Sequence, residues 1–139
     1  MKSLQVADYM TSRPVTFSVG MNIAEAVERI LKIDQSGGPV LDQNGKVVGF
    51  LSEQDCITHM IESTYFREQV AKVGDIMSTD VKSLKPYSSV LEVAQKMALS
   101  RPRIYPIIDD DGHLLGTITR HQIMRAIDQH LHEAYNMPD

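Results

Sequence analysis

An internal repeat constrains the fold of this chain more than any other feature. When the sequence is shifted by 67 positions, residues 6–58 align with residues 73–125 without a gap. Identical residues recur along the alignment, as where Gly49 falls on Gly116, and apolar positions stay apolar between them. Self-similarity at a fixed spacing is typical of a duplicated structural unit. The chain therefore consists of two copies of one unit.

Both copies begin with the same predicted elements. Runs rich in strand-forming residues, at 15–18 and 81–84, predict a short first strand in each copy. A helix follows each strand, because Asn22 and Ser89 each precede a glutamate by three positions, which is the capping-box spacing. The apolar residues of each helix recur on one face, so each helix packs one side against a core.

Both copies also end alike. Two strand-like runs are joined by a loop in which Gly45 or Gly112 allows a positive φ angle, and this predicts a hairpin. An amphipathic helix closes each copy. Each unit is thus β-α-β-β-α, and it is marginally stable alone because a small unit buries little of its surface. We predict an α+β fold in which two such repeats pack sheet to sheet and share a core.

The composition excludes several classes of protein. The 139 residues are 42% hydrophobic and 23% charged with a net charge of -4, which indicates a globular domain without a nucleic-acid surface. No apolar run is long enough to span a membrane, and the opening residues lack a signal peptide, which favours a soluble, cytoplasmic protein. Cys56 is the only cysteine, so we expect neither a disulfide nor a thiolate metal cluster.

The ordered motifs of both copies resemble those of the cystathionine-beta-synthase (CBS) domain. Each copy shows V-x-D-x-M, then a capped helix with Glu, then a strand containing Pro and a strand containing Gly that ends in Ser or Thr. Tandem pairs in that family form a Bateman module, here a stand-alone one, whose repeats are related by a pseudo-twofold axis. The resemblance implies CBS repeat 1 at residues 1–64, a linker at 65–72, CBS repeat 2 at residues 73–134 and a tail at 135–139.

The resemblance implies regulation by a ligand rather than catalysis. Similar modules form two clefts between their repeats, which commonly take adenine nucleotides or S-adenosylmethionine as regulatory ligands, and no cofactor is required. They pair into homodimers through exposed helices and act on an effector protein, which this sequence does not identify. We therefore expect a ligand sensor that is not an enzyme and that binds neither nucleic acid nor a membrane.

The motif S/T-x-x-D, at the start of the last helix of each repeat, differs between the copies. The first repeat has Ser52 and Asp55, whereas the second has Thr119 and Gln122. By the resemblance, the carboxylate accepts hydrogen bonds from both ribose hydroxyls, and the Ser or Thr hydroxyl suits a phosphate. Glutamine has a single carbonyl acceptor, so we expect one competent nucleotide site, in which Asp55 binds the ribose.

The net charge also differs between the two repeats, and the difference likewise favours a single nucleotide site. Residues 6–58 contain 4 Lys and Arg against 7 Asp and Glu, and residues 73–125 contain 7 against 6, for net charges of -3 and +1. By the resemblance, the second repeat completes the Asp55 cleft. The expected phosphate ligands are Ser52, Lys82, Arg101, Arg103, Arg120 and His121. The expected adenine pocket is Val81, Ser83, Ile104 and Tyr105. A second, weaker cleft without a cation is expected from Thr16, Gly38, Thr119 and Gln122.

Other interpretations remain open. The chain can be a ligand-independent module that assembles chains through its helices while both clefts stay empty. Asp55 can simply be a favourable residue in the first turn of a helix, and Tyr105 can belong to the core. Asp55, His59 and Glu62 share a helical stripe that could bind a metal, but such a stripe is more often polar surface, so we expect no metal site.

Overall fold

The computed structural model describes residues 4–66, 71–99 and 102–136, and its elements confirm the α+β fold of two repeats. The first repeat consists of a 3-10 turn (Val6–Asp8), β1 (Phe17–Ser18), α1 (Ile23–Ile33), β2 (Gly37–Leu41), β3 (Val47–Ser52) and α2 (Glu53–Phe66). The second consists of α3 (Val73–Ile76), α4 (Val90–Leu99), β4 (Ile104–Ile108), β5 (Leu114–Thr119) and α5 (Arg120–Asn136). Among these described residues, no helix has the length and apolar character needed to cross a membrane.

Each repeat has its own small sheet. In the first, β1 pairs parallel with β2, which pairs antiparallel with β3; in the second, β4 pairs antiparallel with β5. Each hairpin turns at an aspartate whose Oδ1 accepts two backbone N–H bonds, at 2.8 and 3.0 Å for Asp42 and at 2.9 Å for both bonds of Asp109. Gly45 and Gly112 have φ angles of 81° and 87°, as the predicted turns require. β2 lies against β4, so the two sheets meet between the repeats.

The leading strand of the second repeat is shorter than predicted. Leu84 forms a single parallel bridge with Ile107, whereas β1 contributes two paired residues. The position equivalent to Val19 is Pro86, which has no backbone N–H with which to extend the pairing. The run 81–84 therefore supplies one bridge instead of a strand.

The segments that lead into the two repeats cross between them. Val6 is fully buried in the core of the second repeat, and Val73 is fully buried in the core of the first. Isolated antiparallel bridges anchor both crossings, Thr11 with Thr117 and Ser78 with Phe50. The prediction of one shared core is therefore wrong, because the buried residues form two clusters, each completed by a valine from the other repeat.

Two glycines make room for these crossings. A Cβ atom on Gly49 would collide with Sδ of Met77, and a Cβ atom on Gly116 would lie 2.8 Å from Sδ of Met10. The methionine of each V-x-D-x-M motif thus packs on the glycine of the other repeat. This contact explains in physical terms why the two motifs occur together in both copies.

The predicted capping box is not formed at α1. Asn22 precedes the helix, but its Oδ1 accepts a hydrogen bond from Nζ of Lys72 at 2.8 Å and makes no cap bond. This bond ties α1 to the segment that leads into the second repeat. At α4, Oγ of Ser89 accepts a 3.4 Å bond from the N–H of Glu92, which is half of the predicted box.

Candidate functional site

A hollow of about 680 Å³, which we call the Asp55 hollow, lies between the two repeats. The end of β3 and the first turn of α2 form one side, and the segment after α3 together with the residues before β4 forms the other. Its lining residues are Ser36, Phe50, Ser52, Glu53, Gln54, Asp55, Ile57, Ser78, Asp80, Lys82, Pro102, Arg103 and Ile104.

Asp55 is fixed in this hollow by a reciprocal pair of hydrogen bonds. Its Oδ2 accepts a bond from the N–H of Ser52 at 2.9 Å, and its own N–H donates to Oγ of Ser52 at 3.0 Å. A side-chain acceptor at a helix start satisfies N–H groups that have no partner within the helix. Within the described part of the chain, only one of its two carboxylate oxygens accepts a bond, which leaves Oδ1 available to a ligand.

The remaining lining of the Asp55 hollow divides into an apolar and a charged part. Phe50, Ile57, Pro102 and Ile104 supply apolar surface of the kind on which a flat aromatic base packs. The charged residues of the lining are Glu53, Asp55, Asp80, Lys82 and Arg103. The acids outnumber the cations, so the hollow is less favourable for a chain of several phosphates than for a single phosphate beside Lys82 and Arg103.

A second hollow of about 430 Å³, which we call the Arg120 hollow, occupies the corresponding place at the start of α5. Its lining residues are Ile33, Asp34, Gln35, Ser36, Arg103, Ile104, Thr119, Arg120 and His121. The sequence predicted Arg120 and His121 in the Asp55 hollow, but both line the Arg120 hollow instead. The prediction that the second cleft lacks a cation is wrong, because the first two residues of α5 line this hollow opposite residues 33–36 of the first repeat.

Gln122 does not line either hollow, because both ends of its side-chain amide are bonded elsewhere. Its Oε1 accepts a bond from the N–H of Thr119 at 2.9 Å, as Asp55 does from Ser52. Its Nε2 donates to Oγ1 of Thr11 at 2.6 Å. Gln122 thus holds the leading segment of the first repeat against α5.

The structure also corrects the expected adenine pocket. Tyr105 is 2% exposed and packs in the core of the second repeat, because β4 buries it between α4 and α5. Val81 and Ser83 are not in the lining of either hollow, whereas their neighbour Lys82 lines the Asp55 hollow. Of the four residues expected there, only Ile104 borders it.

Besides Gln122, two other residues expected in the second cleft lie outside it. The carbonyl of Thr16 accepts a 2.9 Å bond from Nη1 of Arg29, which directs this segment to α1. Gly38 is buried within β2, where a Cβ atom would lie 2.7 Å from the carbonyl oxygen of Val15. Thr119 does border the Arg120 hollow. The predicted ligand Arg101 lies outside the described residues.

The sequence did not single out several lining residues of the Asp55 hollow. Ser78 and Asp80 reach it because the segment that leads into the second repeat crosses onto β3. Phe50 and Ile57 reach it from β3 and α2. The sequence did contain a signal for Ser78 and Asp80. They lie within three residues of the end of the V-x-D-x-M motif, whose methionine packs on Gly49 of the strand that leads to Asp55.

A third hollow is an apolar groove of about 520 Å³ between α4 and α5. Met97, Ile123 and Ile127 form its floor, while Met124 and Leu131 at its edge are 63% and 49% exposed. Large apolar side chains at such exposure are typical of surfaces that another molecule covers. We call this surface the α4–α5 face.

Three further sets of side chains could in principle react or bind a metal. Burial raises the pKa of the Cys56 thiol, so this cysteine is a packing residue and a poor nucleophile. Side-chain atoms of Asp109, Asp111 and His113 lie within 4.8 Å of one another at the second hairpin turn, but Asp109 already accepts two backbone bonds there. His59, from the predicted polar stripe, contacts Oγ of Ser63 at 3.2 Å.

Comparisons with known proteins place the chain among relatives with two repeats. A family model for the CBS domain matches residues 6–62 and again residues 73–129. Inosine-5'-monophosphate dehydrogenase from Methanocaldococcus jannaschii is 31% identical over 111 residues, which cover 80% of this chain and 21% of that enzyme. The uncharacterised protein MJ1426 from the same organism is 25% identical over 145 residues, which cover 83% of this chain and 86% of that one.

Solved structures share the whole fold. CBSX2 of Arabidopsis thaliana, in complex with AMP, is 25% identical, with a TM-score of 0.80 over 92% of this chain and 98% of that one. The protein AcuB from Vibrio cholerae is 23% identical, with a TM-score of 0.85 over 99% of this chain and all of that one (100%). These likenesses confirm the arrangement of the two repeats.

Proposed function

The chain belongs to the CBS domain family, and on that basis we propose that it is a regulatory module whose Asp55 hollow binds an adenosine-containing ligand. The position of Asp55 carries this proposal. Its reciprocal bonds with Ser52 fix the carboxylate, and its Oδ1 remains available at a hollow large enough for a nucleoside. A buried ribose hydroxyl without a partner costs roughly 1–3 kcal/mol, so a fixed acceptor selects for the diol.

The lining of the hollow suggests a role for each group. Asp55 accepts hydrogen bonds from the ribose hydroxyls, and Phe50, Ile57 and Ile104 pack on the adenine. Arg103, with its planar fork of donors, binds the phosphate nearest the ribose. Lys82 and the Ser52 hydroxyl lie at the same hollow and add donors for that phosphate. The complex of CBSX2 with AMP supports this class of ligand.

The chain is proposed to regulate rather than to catalyse. It spans only 21% of the dehydrogenase that it resembles, so the activity of that enzyme is not assigned to it. We propose that ligand binding changes how the module contacts an effector protein. The cytoplasmic location expected from the sequence stays a prediction.

The α4–α5 face favours homodimerisation, either together with ligand binding or as the sole function. Its exposed Met124 and Leu131 border an apolar groove, and a second copy of the chain would bury them. Light scattering after size exclusion tests this proposal, since a dimer is expected for the chain and a monomer for Met124→Glu. A wild-type monomer at micromolar concentration would contradict it.

Thermal unfolding in the presence of ligands tests the proposed function. A ligand that binds only the folded state raises the melting temperature through the term RT ln(1 + [L]/Kd). We expect an increase with AMP, ADP or ATP and a smaller one with adenine, which lacks the ribose; S-adenosylmethionine belongs in the same screen. Arg103→Ala should weaken AMP more than adenosine. If no adenosine compound shifts the transition at millimolar concentration, the assembly function is the one that remains.

A further inference from the structure

The Asp55 hollow and the Arg120 hollow meet at a shared wall. Ser36, Arg103 and Ile104 line both of them, so a group bonded to Arg103 in one hollow lies at the edge of the other. Arg103 stands between Asp55, the proposed ribose acceptor, and the cation Arg120 at the start of α5. The two hollows therefore form consecutive parts of one groove.

Charge is distributed unequally along this groove. The Asp55 hollow holds the acids Glu53 and Asp80 in addition to Asp55, against the cations Lys82 and Arg103. The Arg120 hollow holds a single acid, Asp34, and is lined by Arg103, Arg120 and His121. Like charges repel most strongly where water is scarce, so additional phosphates are disfavoured beside the acids and favoured beside Arg120.

The backbone holds these arginines side by side. The N–H of Arg120 donates to the carbonyl of Arg103 at 3.0 Å. In the first repeat, the equivalent bond of 2.8 Å joins Glu53 and Ser36. The same backbone hydrogen bond therefore joins two arginines in the second repeat and a glutamate and a serine in the first.

Gln122 does not supply the Arg120 hollow with the ribose acceptor that Asp55 supplies to the Asp55 hollow. Its amide is bonded to Thr119 and Thr11, and it does not line that hollow. The hollow therefore offers the cations Arg103 and Arg120 for an anion, but no acid at the motif position that Asp55 occupies in the first repeat. At about 430 Å³, it is also the smaller of the two.

We propose that the module takes one adenosine polyphosphate lengthwise, with its nucleoside in the Asp55 hollow and its distal phosphates in the Arg120 hollow. This inference rests on the proposed function and adds a phosphate subsite formed by Arg120 and His121. Arg103 binds the phosphate at the junction of the two hollows. The ligand that fills the groove is thus a nucleoside triphosphate rather than a monophosphate.

Calorimetric titration of the full chain with adenosine, AMP and ATP tests this inference. We expect ATP to bind at least about tenfold more tightly than AMP, at one molecule per chain, because charge-assisted bonds to two further phosphates are added. The double variant Arg120→Gln, His121→Gln should lose roughly that tenfold for ATP and keep the AMP affinity within about twofold. Lys46→Gln, which removes a cation from a hairpin turn that lines neither hollow, is the charge control and should leave both affinities unchanged.

The outcomes separate this inference from the proposed function. If AMP binds but ATP binds no more tightly, the phosphate subsite is wrong and the sensor function stands. Two ATP molecules per chain, or an equal loss of AMP and ATP affinity in the double variant, also overturn the lengthwise arrangement. If none of the three compounds binds, the proposed function fails, and this inference fails with it.

Discussion

The first turns of α2 and α5 contain the same side-chain-to-backbone hydrogen bond, but the side chains that make it have different roles. In both, the fourth residue of the motif accepts a bond from the N–H of the first, at 2.9 Å for both Asp55 and Gln122. A carboxylate cannot donate, so the outer oxygen of Asp55 is left for a ligand. The amide of Gln122 can donate, and it bonds to Thr11 of the crossing segment. One repeat therefore presents a binding group where the other presents a structural one.

The largest expected effect is the loss of AMP affinity when the carboxylate of Asp55 is removed. Asp55→Ala should weaken AMP by about 3 kcal/mol, or roughly 100-fold, because two hydrogen bonds to a charged acceptor are lost. Asp55→Asn is the matched control for folding, since its amide oxygen can still accept the bond from Ser52. Its outward group is then an NH2 that cannot accept from the ribose, so it should lose about as much affinity as Asp55→Ala while keeping the stability of the chain. Calorimetric titration measures both, and an AMP affinity of Asp55→Ala equal to that of the wild type would contradict the ribose role.

The second prediction tests whether the two repeats depend equally on their crossed segments. Val6→Ala and Val73→Ala should each lower the free energy of unfolding by about 2 kcal/mol, since both side chains are fully buried in the core of the other repeat. Leu31→Ala, at a position that is 75% exposed, is the control and should change it little. Urea unfolding measures the three changes. A loss at either valine no larger than that of the control would mean that its crossing does not stabilise the fold.

The third prediction concerns the structural partner of Gln122. Gln122→Ala and Thr11→Val should each reduce stability, and their double-mutant cycle should give a coupling of about 1 kcal/mol. The AMP affinity of Gln122→Ala should stay within about twofold of the wild type, because Gln122 does not line the Asp55 hollow. A loss of affinity as large as that of Asp55→Ala would show that the two positions are equivalent after all.

The smallest effect compares the two hairpin turns under acid. Hydrogen bonds from the N–H groups of Lys46 and Asn44 lower the pKa of Asp42, and those from His113 and Asp111 lower the pKa of Asp109. A pKa that is lower in the folded state stabilises the fold above the unfolded value of 3.8, and this stability is lost as the pH falls through the folded pKa. The melting temperature should thus fall below about pH 4, and less steeply in Asp42→Asn or Asp109→Asn. Identical acid profiles in all three proteins would contradict this role.

Much of the architecture could be predicted because the same local sequence patterns occur in both copies at a constant offset. Turn glycines, amphipathic stripes and the placement of Ser52, Asp55, Lys82 and Arg103 at one hollow depend on short sequence stretches and on the order of elements. The shortened leading strand could have been anticipated from Pro86, since proline cannot donate to a sheet.

The missed features depend on contacts between distant segments. Gln122 and Thr11 are 111 residues apart, and their bond exists only because the leading segment crosses onto the other repeat. The first four residues of β4 are all buried, so no alternation in that strand distinguished Tyr105 as a core residue from Ile104 as a lining residue. The side on which Arg120 and His121 lie likewise follows from how α5 starts after β5.

The stoichiometry of AMP binding tests the difference between the two repeats most directly. Calorimetric titration of the full chain is expected to give one AMP per chain, because the motif residue Asp55 places a carboxylate oxygen at its hollow, whereas the equivalent Gln122 does not line the Arg120 hollow. The AMP affinity of Asp55→Ala should be roughly 100-fold weaker, while Gln122→Ala should still bind one AMP. Two AMP molecules per chain, or one AMP bound with undiminished affinity by Asp55→Ala, would contradict the account.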